Sequence, residues 1–424
     1  MLRQIYYEMR HQKMMTWVSI AGTALSIFLV MALFMTEQVK TVEVPPESNR
    51  SRILIAQNLH VSGKNYGSSS TSGLNKDIID KLYGNLDGIE KTSYVHAFHY
   101  NTNINIPGKD PVSVYPQRVD NNFWSIYDFR FIDGKPYDKA DVDDGVRKVV
   151  LSRSIARQLF GEDNVAGREV ELNYITYTVS GVVEDVNPLL QSTYAQIYIP
   201  YKPSDPQEEY FGNENMVLLM KEGVDPAHIK EQVEARYKTF NTQIKETGDE
   251  FVYHNQPYTS QEVSLGGYGS NNEPDIKGHN KKIWIFYTVL ILLPAINLSS
   301  MTRSRLRHRV SEIGVRRAFG AKKSSIIMQM FGENLIITIF GGILGLALSM
   351  VFILLASHLF FYSGGLDPST LELVNARPSL GMLFQWQNFV IALLFCLVLN
   401  ILSATVPAWR ASRVEPAVAI AKAR

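Results

Sequence analysis

Four stretches of this chain, residues 14–36, 283–302, 334–366 and 378–409, run without a single Asp, Glu, Lys or Arg. A bilayer hydrocarbon core asks for about 20 apolar residues at a rise of about 1.5 Å each, and all four stretches reach that length. The pattern predicts transmembrane helices over 14–36, 283–302, 334–361 and 385–408. The first stretch follows Arg3, Arg10 and Lys13, as the apolar part of a signal peptide would. Its run is longer than the roughly 7–15 residues of such a segment and no A-x-A cleavage site follows, so an uncleaved anchor is expected.

Between the first two stretches the periodicity changes to that of a folded mixed domain. Val149, Val150 and Leu151 form a short β-branched run. Ile155, Ala156, Leu159 and Phe160 then recur at helical spacing, with Ser152 or Ser154 as N-cap and Gly161 as the stop. Val170 and Leu172, then Ile175, Tyr177 and Val179, alternate with polar neighbours on either side of Asn173, which predicts a hairpin. Met216 to Met220 is a further strand, and Asp225-Pro226 opens a helix with Ile229, Val233 and Tyr237 on one face. Two stretches, Gly67 to Gly73 and Gly266 to Asn272, are rich enough in Gly, Ser and Asn to be expected as loops; the second is a candidate hinge ahead of the membrane. The fold class expected is a membrane protein of four transmembrane α-helices, with a large extracytoplasmic α+β domain (37–282) between the first and second.

Composition looks soluble until it is divided by position. The 424 residues carry 42 Lys+Arg against 41 Asp+Glu, a formal net charge of +1. Residues 1–13, the 303–333 loop and the tail from Arg410 hold 15 basic against 4 acidic residues, a net +11. Residues 37–282 hold 26 basic against 35 acidic, a net −9, and the short loop with Asp367, Glu372 and Arg377 adds −1. Excess Lys and Arg in short loops marks the cytoplasmic side. Both termini and the 303–333 loop are therefore expected in the cytoplasm of a multi-pass bacterial inner-membrane protein, contacting membrane lipid. The near-zero sum argues against a polybasic nucleic-acid binder, so no nucleic-acid partner is expected. With one cysteine, Cys396, an internal disulfide and a Cys-based zinc site are excluded.

Candidate chemistry is sparse. His96 and His99 lie three apart in a β-rich segment, where an odd spacing sends the rings to opposite faces and prevents a shared metal. Asp141, Asp143 and Asp144 beside Gly145 miss the calcium-loop spacing and read as a solvated turn; no metal site is expected. Gly314 to Ser324 is the nearest approach to a phosphate-binding loop. Five residues separate its glycines where four are needed, Ala321 precedes the lysine, and no strand leads into it. ATP-driven work would then be powered by another polypeptide.

The 303–333 loop is the most informative segment. From Val310 to Phe319 it has helical character, with Glu312 placed to pair with Arg316; Gly320 suits the stop, and Ser324 or Ser325 a cap for the helix entering the third span. Arg309-x-x-Glu312-Ile313-Gly314-Val315-Arg316-Arg317-Ala318-Phe319-Gly320, followed by Glu333 and Gly341-Gly342-x-x-Gly345, resembles the FtsX-like permease domain of MacB-type ABC transporters. The ending Pro407-Ala-Trp-Arg-Ala-Ser-Arg-Val-Glu-Pro416 is similar to that family's closing segment. Phe123-Trp124, Phe131-Ile132-Asp133-Gly134, Val149 to Ser152, Ala156-x-x-Leu-Phe-Gly161 and Gly167 resemble its periplasmic core domain.

The resemblance implies a non-catalytic permease subunit, a homodimer or a dimer with a related permease, driven by a separate ABC ATPase. A cytoplasmic coupling helix would seat on that ATPase, mapping here to Arg309, Glu312, Ile313, Gly314, Arg316, Arg317, Phe319 and Gly320. It implies no cofactor in this chain, ATP and Mg being bound by the partner. It also implies a periplasmic domain with a porter-like part and an inserted sabre-like part near 116–200, and a periplasmic adaptor or cell-wall enzyme as a further candidate partner. Gly341, Gly342 and Gly345 let helices approach closely, and no charge sits inside a span to mark an ion path. The function expected is coupling of ATP hydrolysis to movement of the outer domain, exporting or extracting a peptide, drug or lipoprotein or activating a periplasmic partner. The alternative is a membrane-anchored sensor or scaffold whose outer domain binds a ligand without ATP.

Overall fold

The computed structural model describes residues 13–63, 70–97, 100–202, 210–266, 273–290, 315, 319–360 and 378–383, and positions 386–387, 389–390, 393–394 and 397–398. The chain divides into two compact units. One comprises Met1–Gln38, Lys277–Ser357 and Leu380–Arg424; the other comprises Val39–Ile276 with His358–Ser379.

Among the described residues of the first unit, two helices are long and apolar enough to cross a membrane: 24 residues over Thr16–Val39 and 26 over Phe331–Ala356. They are parts of longer helices, Lys13–Val39 and Lys323–Phe360. Residues 276–290 are also helical, as is Leu380–Leu383. The rest of the second expected span and most of the fourth lie outside the described residues. The helix entering the third span starts at Lys323, one residue before the serines expected to cap it.

The second unit is an α+β domain whose described residues include two hydrophobic cores. The first gathers Leu54, Ala56, Leu59 and Val61 with Leu218, Ile229, Val233, Tyr237 and Phe251. Strand Glu214–Met220 is its spine, antiparallel to Ile53–Ala56 on one side and Ile89–His96 on the other. Helices Lys76–Tyr83 and Pro226–Gln243 bury Ile79, Leu82, Ile229 and Val233 against it. The second of these helices begins where the sequence places it: Asp225 accepts the Ala227 amide at 2.9 Å, and Pro226 occupies the first turn.

The second core runs from Ile104 and Val114 to Ile197 and Ile199. Strand Lys148–Ser152 lies at its centre, parallel to Ile175–Val183 and antiparallel to Ile197–Pro200. Helix Arg153–Phe160 ends at Gly161 (φ +81°). The hairpin Glu169–Leu172 with Ile175–Val183 turns at Asn173 and Tyr174, both at positive φ. Two residues in that conformation match the right-handed twist of the strands they join.

Three local expectations are corrected. Ser70–Leu74, expected as the end of a flexible loop, is a strand paired with Leu59–Gly63; ladder partners override the weak β-preference of Ser and Gly. The Asp141 region is a short helix, Lys139–Asp143, closed by a capping box between Asp138 and Asp141, with Lys148 2.7 Å from Asp141. At helix Arg153–Phe160, Ser152 is the N-cap residue but makes no capping bond. The serine carboxylate contact there is Ser154, whose amide and hydroxyl both donate to Asp185.

Candidate functional site: helix packing and the Gly320 stop

The first and third helices of the membrane unit meet through their smallest residues. A Cβ added at Gly345 would lie 2.6 Å from the Ala24 carbonyl oxygen and 3.0 Å from Ile27 Cβ. One at Gly341 would lie 2.8 Å from Thr23 Cβ, and one at Gly342 would lie 2.6 Å from Leu393 Cδ1. At Gly341 and Gly345 the obstacles are a Cβ and backbone oxygens, so glycine suits this separation; at Gly342 the obstacle is the tip of the Leu393 side chain, which can turn aside. On the facing helix, Ser19, Thr23 and Ser26 are buried. Two of these hydroxyls are spent on the helix itself: Thr23 donates to Ser19 O at 2.9 Å and Ser26 to Gly22 O at 2.8 Å. This leaves a short-chained face, its Thr23 and Ser26 hydroxyls satisfied within the helix, for the glycines to meet. Sequence reasoning named the glycines and missed Ser19, Thr23 and Ser26, whose spacing of four and three residues was the available signal.

The outer end of the first helix carries polar ties within the same unit. Glu37 lies 3.0 Å from His279 Nε2, and Gln38 donates to Met382 O at 3.0 Å. Phe34 and Tyr287 bring their rings to 6.4 Å.

Of the segment expected to contact an ATPase, Phe319 and Gly320 are described. Arg309, Glu312, Ile313, Gly314, Arg316 and Arg317 lie outside the described residues. The Phe319 amide donates to Val315 O at 3.1 Å, closing a helical turn, and Gly320 follows at φ +90°. A side chain with a Cβ rarely adopts that conformation, so glycine suits this C-terminal stop. Phe319 is 89% exposed. Three residues on, Lys323–Phe360 begins, a continuous helix of 38 residues.

In the outer domain, the buried carboxyl of Asp120 is a structural group. It accepts Ser93 Oγ at 2.6 Å and the amides of Tyr94, Asn122 and Phe123 at 3.1–3.2 Å. Burial pushes its pKa above the ordinary carboxylate range, and those donors oppose the shift. His96 ends strand Ile89–His96, while His99 lies outside the described residues. A pair that sequence reasoning missed is His60 with His254. Their Nδ1 and Nε2 atoms are 2.5 Å apart, joining positions nearly two hundred residues apart in the chain, a proximity no local pattern announces.

Comparison with known proteins agrees with this layout. The family model of the MacB-like periplasmic core domain matches residues 16–236, and that of the FtsX-like permease C-terminal region matches residues 284–416. The macrolide export ATP-binding/permease protein MacB of Salmonella paratyphi A is 22% identical over 443 aligned residues, covering 99% of this chain and 62% of that protein. The chain thus spans less than two thirds of the length of the MacB relatives it matches. YknZ, an uncharacterized ABC transporter permease of Bacillus subtilis, is 21% identical over 71% of this chain and 68% of its own length. Among solved structures, the periplasmic region of MacB from Actinobacillus actinomycetemcomitans is similar at 16% identity and a TM-score of 0.33, over 46% of this chain and 88% of that one. With more than half of its residues under the first family model and the permease region following it, this chain belongs to the MacB/FtsX-like family of ABC transporter permeases.

Proposed function

We propose that this chain is the four-span membrane subunit of an ABC machine, passing movements of a separate ATPase to its own periplasmic domain. Both termini and the 303–333 loop face the cytoplasm in this reading, and the segment from Arg309 to Gly320 seats on the ATPase. The ATPase binds ATP and Mg; this chain contributes no catalytic group. The subunit pairs with a second copy or a related permease. Its cargo is a peptide, drug or lipoprotein taken from the outer face of the membrane, or its output is the activation of a periplasmic partner.

The observation that carries the reading is mechanical. The exposed Phe319 and the stop at Gly320 stand three residues before a helix of 38 residues. At about 1.5 Å per residue that helix is a rod of about 57 Å. A push at its basic end is carried along its whole length, because an unbroken helix leaves no hinge to absorb it. Gly341 and Gly345 hold that rod against the first helix, which leads directly into the outer domain. The glycine-tight contact therefore serves, in this reading, as the point where displacement passes from one helix to the other.

The test is Gly320→Pro, together with charge reversal of Glu312 and Arg316 in one chain. Both variants are expected to insert and fold like wild type, measured by membrane yield and thermal unfolding in detergent, and to lose stimulation of the partner's ATP hydrolysis. Wild-type stimulation in both variants contradicts the assignment of the coupling segment.

A further inference from the structure

The chain leaving the first helix crosses a buried charged node before it reaches the outer domain's strands. Arg50, 8% exposed, donates from Nη1 to Val39 O at 3.1 Å and to Val42 O at 3.5 Å. Val39 is the last residue of the first helix, so the guanidinium caps that helix's outer carbonyls, where a cation is favoured by the helix dipole. Its Nε lies 3.2 Å from Glu47, whose carboxylate is 1% exposed. Glu47 in turn accepts Thr193 Oγ1 at 3.0 Å. Thr193 belongs to the turn ahead of strand Ile197–Pro200, and its carbonyl accepts Tyr198 Oη at 2.7 Å. Tyr198 is fully buried against Trp124 and Phe129. The Asp128 amide adds a second tie, donating to Pro46 O at 2.9 Å.

Two buried charges are costly to desolvate, and a hydrophobic pair of similar volume would hold the same space at no such cost. Burial pushes the Glu47 carboxyl upward, against the attraction of Arg50. Packing alone thus gives no account of this choice of residues. Direction does: the charge-assisted bonds of Arg50 to the two carbonyls and of Glu47 to Thr193 fix orientation as well as distance. The Arg50–Glu47 ion pair joins them, and the series runs from the helix end to Tyr198 on strand Ile197–Pro200, whose Ile197 and Ile199 belong to the second core. On the other side, Ser260 Oγ donates to Arg50 O at 3.4 Å and Arg52 donates to Met220 O at 2.9 Å, so the same segment is also held to the first core.

We propose that Arg50 and Glu47 are positioning residues that lock the exit of the first helix to the second core through Thr193, so that displacement of the helix reaches that core. The inference deepens the permease reading and rests on it for the displacement, though the lock is measurable without any ATPase. Hydrogen exchange on the full chain in nanodiscs supplies the first arm, with Thr193→Val as the mild variant, since it keeps the ion pair and the side-chain volume. Loss of one buried hydrogen bond corresponds to about tenfold in a local opening equilibrium. Thr193→Val is therefore expected to speed exchange about tenfold both at 39–50 and at 190–198, with strand Lys148–Ser152 unchanged. Faster exchange confined to the vicinity of residue 193 overturns the lock. Arg50→Met is expected to loosen the same two segments further.

The second arm adds Mg-ATP to the complex with the co-purifying ATPase. Wild type is expected to change exchange at 39–50 and within the second core together. Thr193→Val is expected to keep the first change and lose most of the second, a split that a merely structural role does not produce. If the second core responds equally in wild type and both variants, the positioning role is wrong while the permease reading stands. If the lock is present but wild type ignores nucleotide everywhere, the permease reading fails, and the transmission with it.

Discussion

Large apolar side chains are gathered inward in the outer domain, whereas along the membrane helices many face outward, beside buried ones such as Ile27, Ile337 and Ile353. In the outer domain, Leu54, Leu218, Ile229 and Val233 are buried to within a few per cent. Along the helix Phe331–Ala356, Phe340, Ile343, Leu348 and Leu355 are exposed, Leu348 at 47%, while Thr338 and Ser349 are buried and Gly345 touches a neighbouring backbone. The difference follows from the solvent each half meets. Water drives apolar surface into a core. Lipid is as apolar as leucine, so inside a membrane it is the small residues that gain by meeting, through close backbone approach. One chain thus builds two different packing schemes.

Substitutions that exploit this inversion break or sharpen the comparison. Leu218→Ala in the outer domain is expected to cost about 2–5 kcal/mol by removing a fully buried side chain from a packed core, read as a fall in the denaturation midpoint of the full chain in detergent. Gly345→Leu is expected to cost about 1–3 kcal/mol by overpacking, since its Cβ meets the Ala24 carbonyl, and to lower the thermal midpoint. Leu348→Ala, the same truncation as in the outer core, is expected to stay within about 0.5 kcal/mol. If it proves as costly as Leu218→Ala, that face is buried against protein and the inversion does not hold there.

The smallest effect concerns pH. Burial holds the imidazoles of His60 and His254 below their ordinary value of 6.5, and for His60 the charge of His254 adds to it. The folded chain therefore binds fewer protons than the unfolded one just below that value. Its stability is fully present above pH 6.5 and falls as acid drives the pair through its lowered pKa range. The denaturation midpoint is expected to drop between about pH 7.5 and about pH 5.5, and His60→Asn to flatten the drop. A wild-type midpoint that rises in acid contradicts the assignment.

Short-range physics made much of this legible beforehand. The alternation around Asn173 gave the hairpin because a two-residue turn sets its own register. Gly161 and Gly320 were readable as stops because a positive φ leaves few residue choices. The glycines at 341 and 345 announced a close approach, though nothing local named Thr23 and Ala24 as the partners. The strand Ser70–Leu74 was missed because its conformation is supplied by neighbours in the ladder. Arg50, Glu47 and Thr193 were missed for a related reason: the bond from the helix exit to the turn before strand Ile197–Pro200 spans 146 residues of chain, and a polar triad of that kind has no periodicity to reveal it.

The central proposal is that this chain is coupled to the ATP hydrolysis of a partner. The most direct measurement is ATP hydrolysis by whatever P-loop ATPase co-purifies with the full chain from membranes, with and without this subunit in lipid. The account predicts a co-purifying ATPase whose rate changes severalfold when the subunit is present, and no such change with Gly320→Pro. An ATPase that never travels with the chain, or hydrolyses ATP at the same rate without it, would contradict the account.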